Sequence, residues 1–155
     1  MQNLVFDPSP IVAELPADFI AAARKRATWI SANVREASIL SGIADPAQAA
    51  RALAEERPEN GGVVVRDGKQ GCYVATRDHC EKVDAFEVDA VDTNGAGDTH
   101  LGSFIARLAR GDTPRAAARY ANIAAALSTT RRGPATAPSF HEVFTVLNQK
   151  EAIRR

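Results

Sequence analysis

The heptapeptide DTNGAGD, residues 92–98, places an aspartate at each end of a loop that contains two glycines, and an amphipathic helical pattern begins directly after it. Backbone N–H groups at a helix start lack partners and the helix dipole is positive there, so such a position binds phosphate. Gly95 and Gly97 allow positive φ angles and let a ligand approach the backbone. We therefore predict an anion hole built by the amides of four consecutive residues, Gly95, Ala96, Gly97 and Asp98.

The two aspartates of this loop are expected to differ in role. Asp98 lies at the edge of the predicted anion hole, where the helix terminus favours its ionised form, and its carboxylate could accept a proton from an attacking hydroxyl. Asp92 cannot share the hole, because two like charges beside a bound phosphate repel each other, and it is expected to hold a cation or to brace the loop. The alternative is that NGAGD is only a tight turn capped by Asp98, since a lone glycine pair is a weak signal.

Two better-known phosphate motifs do not match this loop. A dinucleotide fingerprint needs the spacing G-x-G-x-x-G, whereas Gly95, Gly97 and Gly102 give G-x-G-x-x-x-x-G. A Walker A loop needs a lysine, and none occurs between Lys82 and Lys150. The sequence therefore predicts that amides and a metal ion hold the phosphates without a loop lysine.

Composition argues against several other classes of protein. Lys and Arg number 19 and Asp and Glu number 19 in 155 residues, so no net basic field attracts nucleic acid or an anionic membrane. The apolar runs are far shorter than the roughly 20 residues of a membrane-spanning helix, and the N-terminus lacks a signal-peptide pattern, so we expect a cytoplasmic location. Cys72 and Cys80 are expected to be free thiols, and the three scattered histidines predict no transition-metal site.

Strand and helix signals alternate along the chain, and these elements must position the loop. Strands are predicted at residues 3–6, 27–31 and 83–88, with a hairpin around residues 67–71. Helices are predicted at residues 17–27, 33–42, 46–56, 101–111 and 114–128, and from Ser139 onward, where Glu142 completes a capping box. This alternation predicts an α/β layered fold with a mostly parallel sheet flanked by helices.

Four sequence elements together resemble the ribokinase-like (PfkB) carbohydrate kinases. Residues 92–98 match in full the family signature D-T-x-G-A-G-D that precedes a helix. The other three elements are N-x-x-E at Asn33 and Glu36, a glycine-punctuated hairpin at Gly68 and Gly71, and an alanine-rich helix with its following glycine at residues 121–133. All four come in family order, so residues 1–155 resemble the C-terminal nucleotide-binding and catalytic portion of such a kinase domain.

The resemblance implies transfer of the γ-phosphoryl group of ATP to a sugar hydroxyl. It implies that Asp98 is the catalytic base and that Gly95, Ala96 and Gly97 form the anion hole for the transferring group. It also implies that Asn33 and Glu36 organise Mg²⁺ through water, since Mg²⁺ prefers oxygen ligands and keeps several waters. The alternative for this pair is that Asn33 caps a helix with Glu36 at the third helical position.

The resemblance assigns further positions to the nucleotide and to an ion. Gly68 and Asn122 look like nucleotide-side positions, with Asn122 near adenine, although an ordinary buried hydrogen bond is an alternative for Asn122. Asp92, the carbonyl of Asn94 and residues 128–133 correspond to where some members bind a monovalent cation such as K⁺. Such a cation would order the anion-hole loop.

Three features depart from the family pattern. His100 stands where an aromatic residue is usual, and we expect it to face the core or a loop and to have no catalytic role. Arg66 precedes the hairpin glycine, and its guanidinium is expected to reach phosphate or solvent. The chain is markedly shorter than family members and lacks their N-terminal half, with its lid and sugar-binding residues. We expect a separate N-terminal half, or self-association into a homo-oligomer, to cover the surfaces left exposed.

The resemblance therefore favours an ATP- and Mg²⁺-dependent sugar kinase that needs the N-terminal half to bind its substrate. The acceptor would be a small-molecule sugar or a nucleoside, whose identity the residues present do not specify. The alternatives are a truncated nucleotide-binding or regulatory module without catalytic activity, and a non-functional fragment.

Overall fold

A computed structural model of the chain describes residues 4–153, with side chains described for residues 4–149. The chain divides into two compact units at the junction between Val83 and Asp84. Within the described residues, the first unit contains five strands and the second contains three helices.

The sheet of the first unit has the strand order β1-β2-β3-β4-β5. Its strands are β1 (Val5–Phe6), β2 (Trp29–Asn33), β3 (Gly62–Arg66), β4 (Cys72–Ala75) and β5 (Cys80–Val83). The first three strands are parallel, in a register that pairs Phe6 with Ile30 and Ile30 with Val63. The pairs β3–β4 and β4–β5 are antiparallel. The predicted α/β class is confirmed, and the sheet is mixed because the hairpin after β3 continues into a further antiparallel strand.

The strand predicted at residues 83–88 is wrong in its position. The fifth strand ends at Val83, which pairs with Cys72, the first residue of β4. Beyond that pair the neighbouring strand has turned away through Gly71, whose φ of 97° belongs to the 3-10 turn between β3 and β4. Residues 84–90 therefore have no ladder partner and form irregular structure despite their apolar pattern.

Three helices of the first unit cover the sheet, and the caps predicted for the second and third of them are present. They are α1 (Ala17–Arg26), α2 (Val34–Ser41) and α3 (Pro46–Glu55), and short 3-10 helices lie at Pro10–Ala13 and Gly68–Gln70. Gly42 ends α2 in the left-handed conformation, and the Asp45 side chain accepts a bond from Gln48 N at the start of α3. The core behind these helices is built from small and branched side chains, among them Ile30, Leu53, Val63 and Val65.

The second unit consists of α4 (Ala96–Ala109), α5 (Pro114–Thr129) and α6 (Phe140–Ile153). Thr113 caps α5 with Pro114 in its first turn, as predicted, and Ser139 and Glu142 form the predicted capping box at the start of α6. Its core contains Tyr120, Ile123, Ala124 and Val143. No helix in the described part of the chain is long and apolar enough to cross a membrane. Cys72 and Cys80, both in the first unit, are free thiols, as predicted.

Candidate active site

The predicted phosphate loop leads directly into the N-terminus of α4. Gly95 is the N-cap residue, with φ 75°, and the helix begins at Ala96. A Cβ atom on Gly95 would overlap the carbonyl oxygen of Pro134, so this position requires glycine both for its backbone conformation and for space. The Ala96 amide donates to the Thr93 carbonyl at 3.3 Å, which closes a turn within the loop.

Asp98 lies in the first turn of α4, and its side chain is exposed. It borders a cavity of about 370 Å³ whose lining also includes Thr99, Ser103, Arg107 and Tyr120. The arrangement therefore presents a solvent-accessible carboxylate at the edge of an open pocket.

Asp92 holds the loop to the segment that follows α5. Its Oδ1 accepts a hydrogen bond from Asn94 N at 3.0 Å, and its Oδ2 accepts one from Gly133 N at 2.9 Å. These backbone donors, Gly133 first and Asn94 second, lower the pKa of Asp92 below its ordinary value. Asp92 was predicted either to hold a cation or to brace the loop, and these two hydrogen bonds correspond to bracing the loop. A monovalent cation at Asp92 and Asn94 stays a prediction.

Asn33 and Glu36, in the first unit, form a complete capping box at the start of α2. Asn33 Oδ1 accepts from Glu36 N at 2.9 Å, and Glu36 Oε2 accepts from Asn33 N at 2.8 Å. Glu36 Oε1 accepts from Asn33 Nδ2 at 2.8 Å, and the Glu36 side chain is only 2% exposed. The helix-capping alternative is thus present in the structure. A water-mediated role toward Mg²⁺ stays a prediction.

Arg66 joins this capping box to a residue that the sequence did not single out. Its Nη2 lies 3.1 Å from Asp7 Oδ2 and 3.5 Å from Glu36 Oε2. Asp7 follows β1, Asn33 ends β2 and Arg66 ends β3, so the cluster sits where three parallel strands end at one edge of the sheet. Ligands of open α/β sheets bind at that edge, and the Asp-Pro pair directly after β1 was the available sequence signal for Asp7.

The two remaining predicted nucleotide positions differ in exposure. Gly68 is exposed in the turn after β3, with φ 52°. Asn122 is buried on α5, where its Oδ1 lies 3.0 Å from His100 Nε2 and its Nδ2 donates to the Asp84 carbonyl at 3.0 Å. The buried hydrogen bond considered for Asn122 is therefore present. His100 is buried in the second unit, as expected. In the described part of the chain, no cluster of three or more His, Cys, Asp or Glu residues could hold a metal ion.

A family model described as pfkB family carbohydrate kinase matches residues 2–140 of the sequence. This chain belongs to the pfkB family. The loop, its aspartates and the Asn33–Glu36 pair all lie within the matched region. The predicted ribokinase-like resemblance is thereby confirmed.

Curated pfkB-family relatives are similar over part or all of this chain. A deoxyribokinase from Salmonella typhi is 30% identical over 153 residues, which is 96% of this chain and 49% of the relative. A ribokinase from Staphylococcus aureus (strain COL) is 37% identical over 86 residues, which is 54% of this chain and 28% of the relative. The chain thus spans half or less of the length of these relatives.

Solved structures show the same architecture. A ribokinase from Thermotoga maritima superposes with a TM-score of 0.81 at 28% identity, covering 94% of this chain and 49% of that one. A putative ribokinase II from E. coli, solved in complex with ATP and Mg²⁺, gives a TM-score of 0.83 at 28% identity and covers 95% and 49%. The mixed five-stranded sheet with its helices is therefore the ribokinase-like fold, represented here by about half of the neighbours' length.

Proposed function

We propose that this chain supplies the nucleotide-binding and phosphoryl-transfer portion of an ATP-dependent sugar kinase. The observation that carries the proposal is the DTNGAGD loop at the start of α4, with Asp98 exposed beside a cavity. Further polypeptide, corresponding to the part of the relatives that this chain does not match, would bind the acceptor. Residues 1–155 would then act as the C-terminal portion of one kinase domain.

In the proposed reaction, Asp98 takes the proton of the acceptor hydroxyl as the hydroxyl oxygen attacks the γ-phosphorus of ATP. The new O–P bond forms while the bond from the γ-phosphorus to the β–γ bridging oxygen breaks, and ADP leaves. Amides of Gly95, Ala96 and Gly97 are proposed to stabilise the charge on the transferring group, because backbone N–H groups at a helix start can bind phosphate oxygens; the Ala96 amide would exchange its bond to the Thr93 carbonyl for this contact. Catalysis of this kind is mostly positioning and charge stabilisation.

Magnesium is the ion expected with ATP, and it would neutralise charge on the phosphate oxygens when bound. Direct coordination by Glu36 does not fit the structure, because both carboxylate oxygens accept hydrogen bonds from Asn33 and the side chain is buried. The Asn33–Glu36 pair is therefore proposed to act, at most, through water. No chemical step is assigned to this pair or to the ion.

A monosaccharide is the proposed class of acceptor. Relatives are named ribokinase, deoxyribokinase and, in the case of a maize protein 38% identical over 78 residues, fructokinase-2. The sugars in these names, ribose, deoxyribose and fructose, are all small polyols with free hydroxyl groups. The accessible Asp98 carboxylate would serve any such hydroxyl, so discrimination among sugars would come from the polypeptide that binds the acceptor.

The test is nucleotide binding by the full chain, measured by calorimetry with ATP in the presence and absence of Mg²⁺, followed by ADP release with ribose, deoxyribose and fructose after the polypeptide that binds the acceptor has been added. In that completed kinase, Asp98→Asn should retain ATP binding and lower ADP release by about 10²- to 10⁴-fold, the usual contribution of a positioned general base. ATP binding without acceptor-dependent ADP release in the presence of the added polypeptide would favour the alternative, a nucleotide-binding module. A folded chain that binds no nucleotide would overturn the proposal.

A further inference from the structure

We infer that Asp92 is a positioning residue, which sets the shape of the phosphate loop by fixing it to the segment after α5. The loop is defined as residues 93–98 and the segment as residues 130–134. This inference rests on the proposed function, because the loop is assigned to phosphate there. Asp92 is not proposed to contact the nucleotide or the acceptor.

Four contacts join residues 91–95 to that segment and to the end of α5. Asp92 Oδ2 accepts from Gly133 N at 2.9 Å, across 41 positions of sequence. The Thr129 carbonyl accepts from Val91 N at 2.7 Å and from Asp92 N at 3.0 Å. Gly95 lies so close to the Pro134 carbonyl that a single added carbon would overlap it. The chain therefore contacts the segment on both sides of Asn94, through Asp92 before it and Gly95 after it.

The carboxylate of Asp92 is the part of this connection that a side-chain substitution can remove. It accepts two amide N–H groups, one from inside the loop at Asn94 and one from Gly133. A carboxylate can only accept, whereas an asparagine carries one donor group and must present it to one of these two N–H groups. Asp92→Asn therefore keeps the size of the side chain and breaks one of the two links.

The segment itself is held independently of Asp92. Thr136 Oγ1 donates to the Ser128 carbonyl at 2.9 Å, and the Ser139–Glu142 capping box, joined by Arg131, fixes the start of α6. Loss of the Asp92 link is therefore expected to free the loop while α5 and α6 stay in place. This separation identifies Asp92 as a positioning residue for the amides at the start of α4.

The experiment compares Asp92→Asn with Glu142→Gln in the full chain. Glu142→Gln weakens the same connection between α5 and α6 but leaves residues 91–98 untouched. Hydrogen exchange by mass spectrometry should show about tenfold faster exchange of peptides from residues 93–98 in Asp92→Asn alone. Affinity for a non-hydrolysable ATP analogue should fall about tenfold in Asp92→Asn, and affinity for ADP should fall much less, because the loop is assigned to the transferring γ-phosphoryl group, which ADP lacks.

Each alternative result has a defined meaning. Unchanged exchange at residues 93–98 in Asp92→Asn overturns the inference, and so does equal acceleration in both variants, which would indicate general loosening. Equal losses of affinity for the ATP analogue and for ADP would also overturn it. Failure of the wild-type chain to bind any nucleotide would remove the proposed function, while the exchange comparison would still decide whether Asp92 orders the loop.

Discussion

The two aspartates of one heptapeptide have opposite surroundings, and this difference separates their roles. Asp92 is committed to two backbone N–H groups that lower its pKa, so it stays ionised and holds the chain. Asp98 is exposed in the first turn of α4 and faces a cavity. A residue that accepts a proton from a substrate must be accessible to that substrate. A residue that positions a loop must be hydrogen-bonded to the chain. Two aspartates can therefore fill these two proposed roles because their contacts differ.

Gly95→Ala should lower the free energy of unfolding more than Gly111→Ala, a substitution at another left-handed glycine of the same unit. Gly95 and Gly111 have φ angles of 75° and 88°, and each variant should lose about 1–2 kcal/mol of unfolding free energy for that conformation. Only Gly95 also meets a neighbour, the Pro134 carbonyl, which should add about 1–3 kcal/mol. Urea denaturation of both variants measures the difference. Equal losses would contradict the predicted close contact.

The helix ends and the strand ends differ in how far the sequence could predict them. Asn33, Asp45, Thr113 and Ser139 were recognisable as caps because a cap contacts an amide only three residues away. The end of β5 was misplaced because it depends on where its antiparallel partner β4 begins, which is a matter of pairing between strands. The bonds from Asp92 to Gly133 and from Asp7 to Arg66 were likewise invisible, since 41 and 59 positions separate the partners.

The carboxylate of Glu142, in the capping box of α6, should titrate at unusually low pH. The Ser139 amide, the Ser139 hydroxyl and Arg131 together lower the pKa of Glu142 from 4.5 to about 2. Because the folded pKa lies below the unfolded one, this carboxylate stabilises the fold fully above pH 4.5, and the contribution is lost as pH falls toward about 2.

Carboxyl chemical shifts measured by NMR should give Glu142 a midpoint near 2. The wild type should also lose its stability advantage over Glu142→Gln across the same pH range. A midpoint at the ordinary value of 4.5 would show that the capping box does not persist in solution.

A buried arginine ties two helices of the first unit together. Arg57 follows α3, is 1% exposed, and donates to the carbonyls of Ala27 at 2.7 Å, Leu53 at 3.3 Å and Arg24. Burial is the main cause of its lowered pKa. Arg57→Met should cost about 2–4 kcal/mol of unfolding free energy, because several buried carbonyls lose their donor. The exposed Arg51 on α3 provides the control, and Arg51→Met should change stability by less than about 0.5 kcal/mol in the same urea titration.

At the scale of the whole molecule, 19 basic residues balance 19 acidic residues, so the net charge does not attract an anion and local groups must bind it. The sheet also has a short edge, since β1 contributes only two paired residues. A strand edge exposes N–H and C=O groups that can pair with further polypeptide. This feature agrees with the proposal that additional chain, matching the remaining length of the relatives, completes the kinase.

Binding of ADP should stabilise the whole chain by mass action. A ligand at one hundred times its dissociation constant adds about 2.7 kcal/mol to the free energy of unfolding, provided that the unfolded chain does not bind it. For a chain of 155 residues this corresponds to a rise in Tm of roughly 5–10 °C. Gly95→Ala should keep most of the shift with ADP and lose the further shift expected with a non-hydrolysable ATP analogue, because the loop that no longer fits against Pro134 is assigned to the transferring phosphoryl group. Thermal unfolding with increasing ADP or ATP analogue, in potassium chloride and again in choline chloride, measures both effects. An ADP-independent Tm would contradict nucleotide binding, and equal shifts in the two salts would contradict a required monovalent cation.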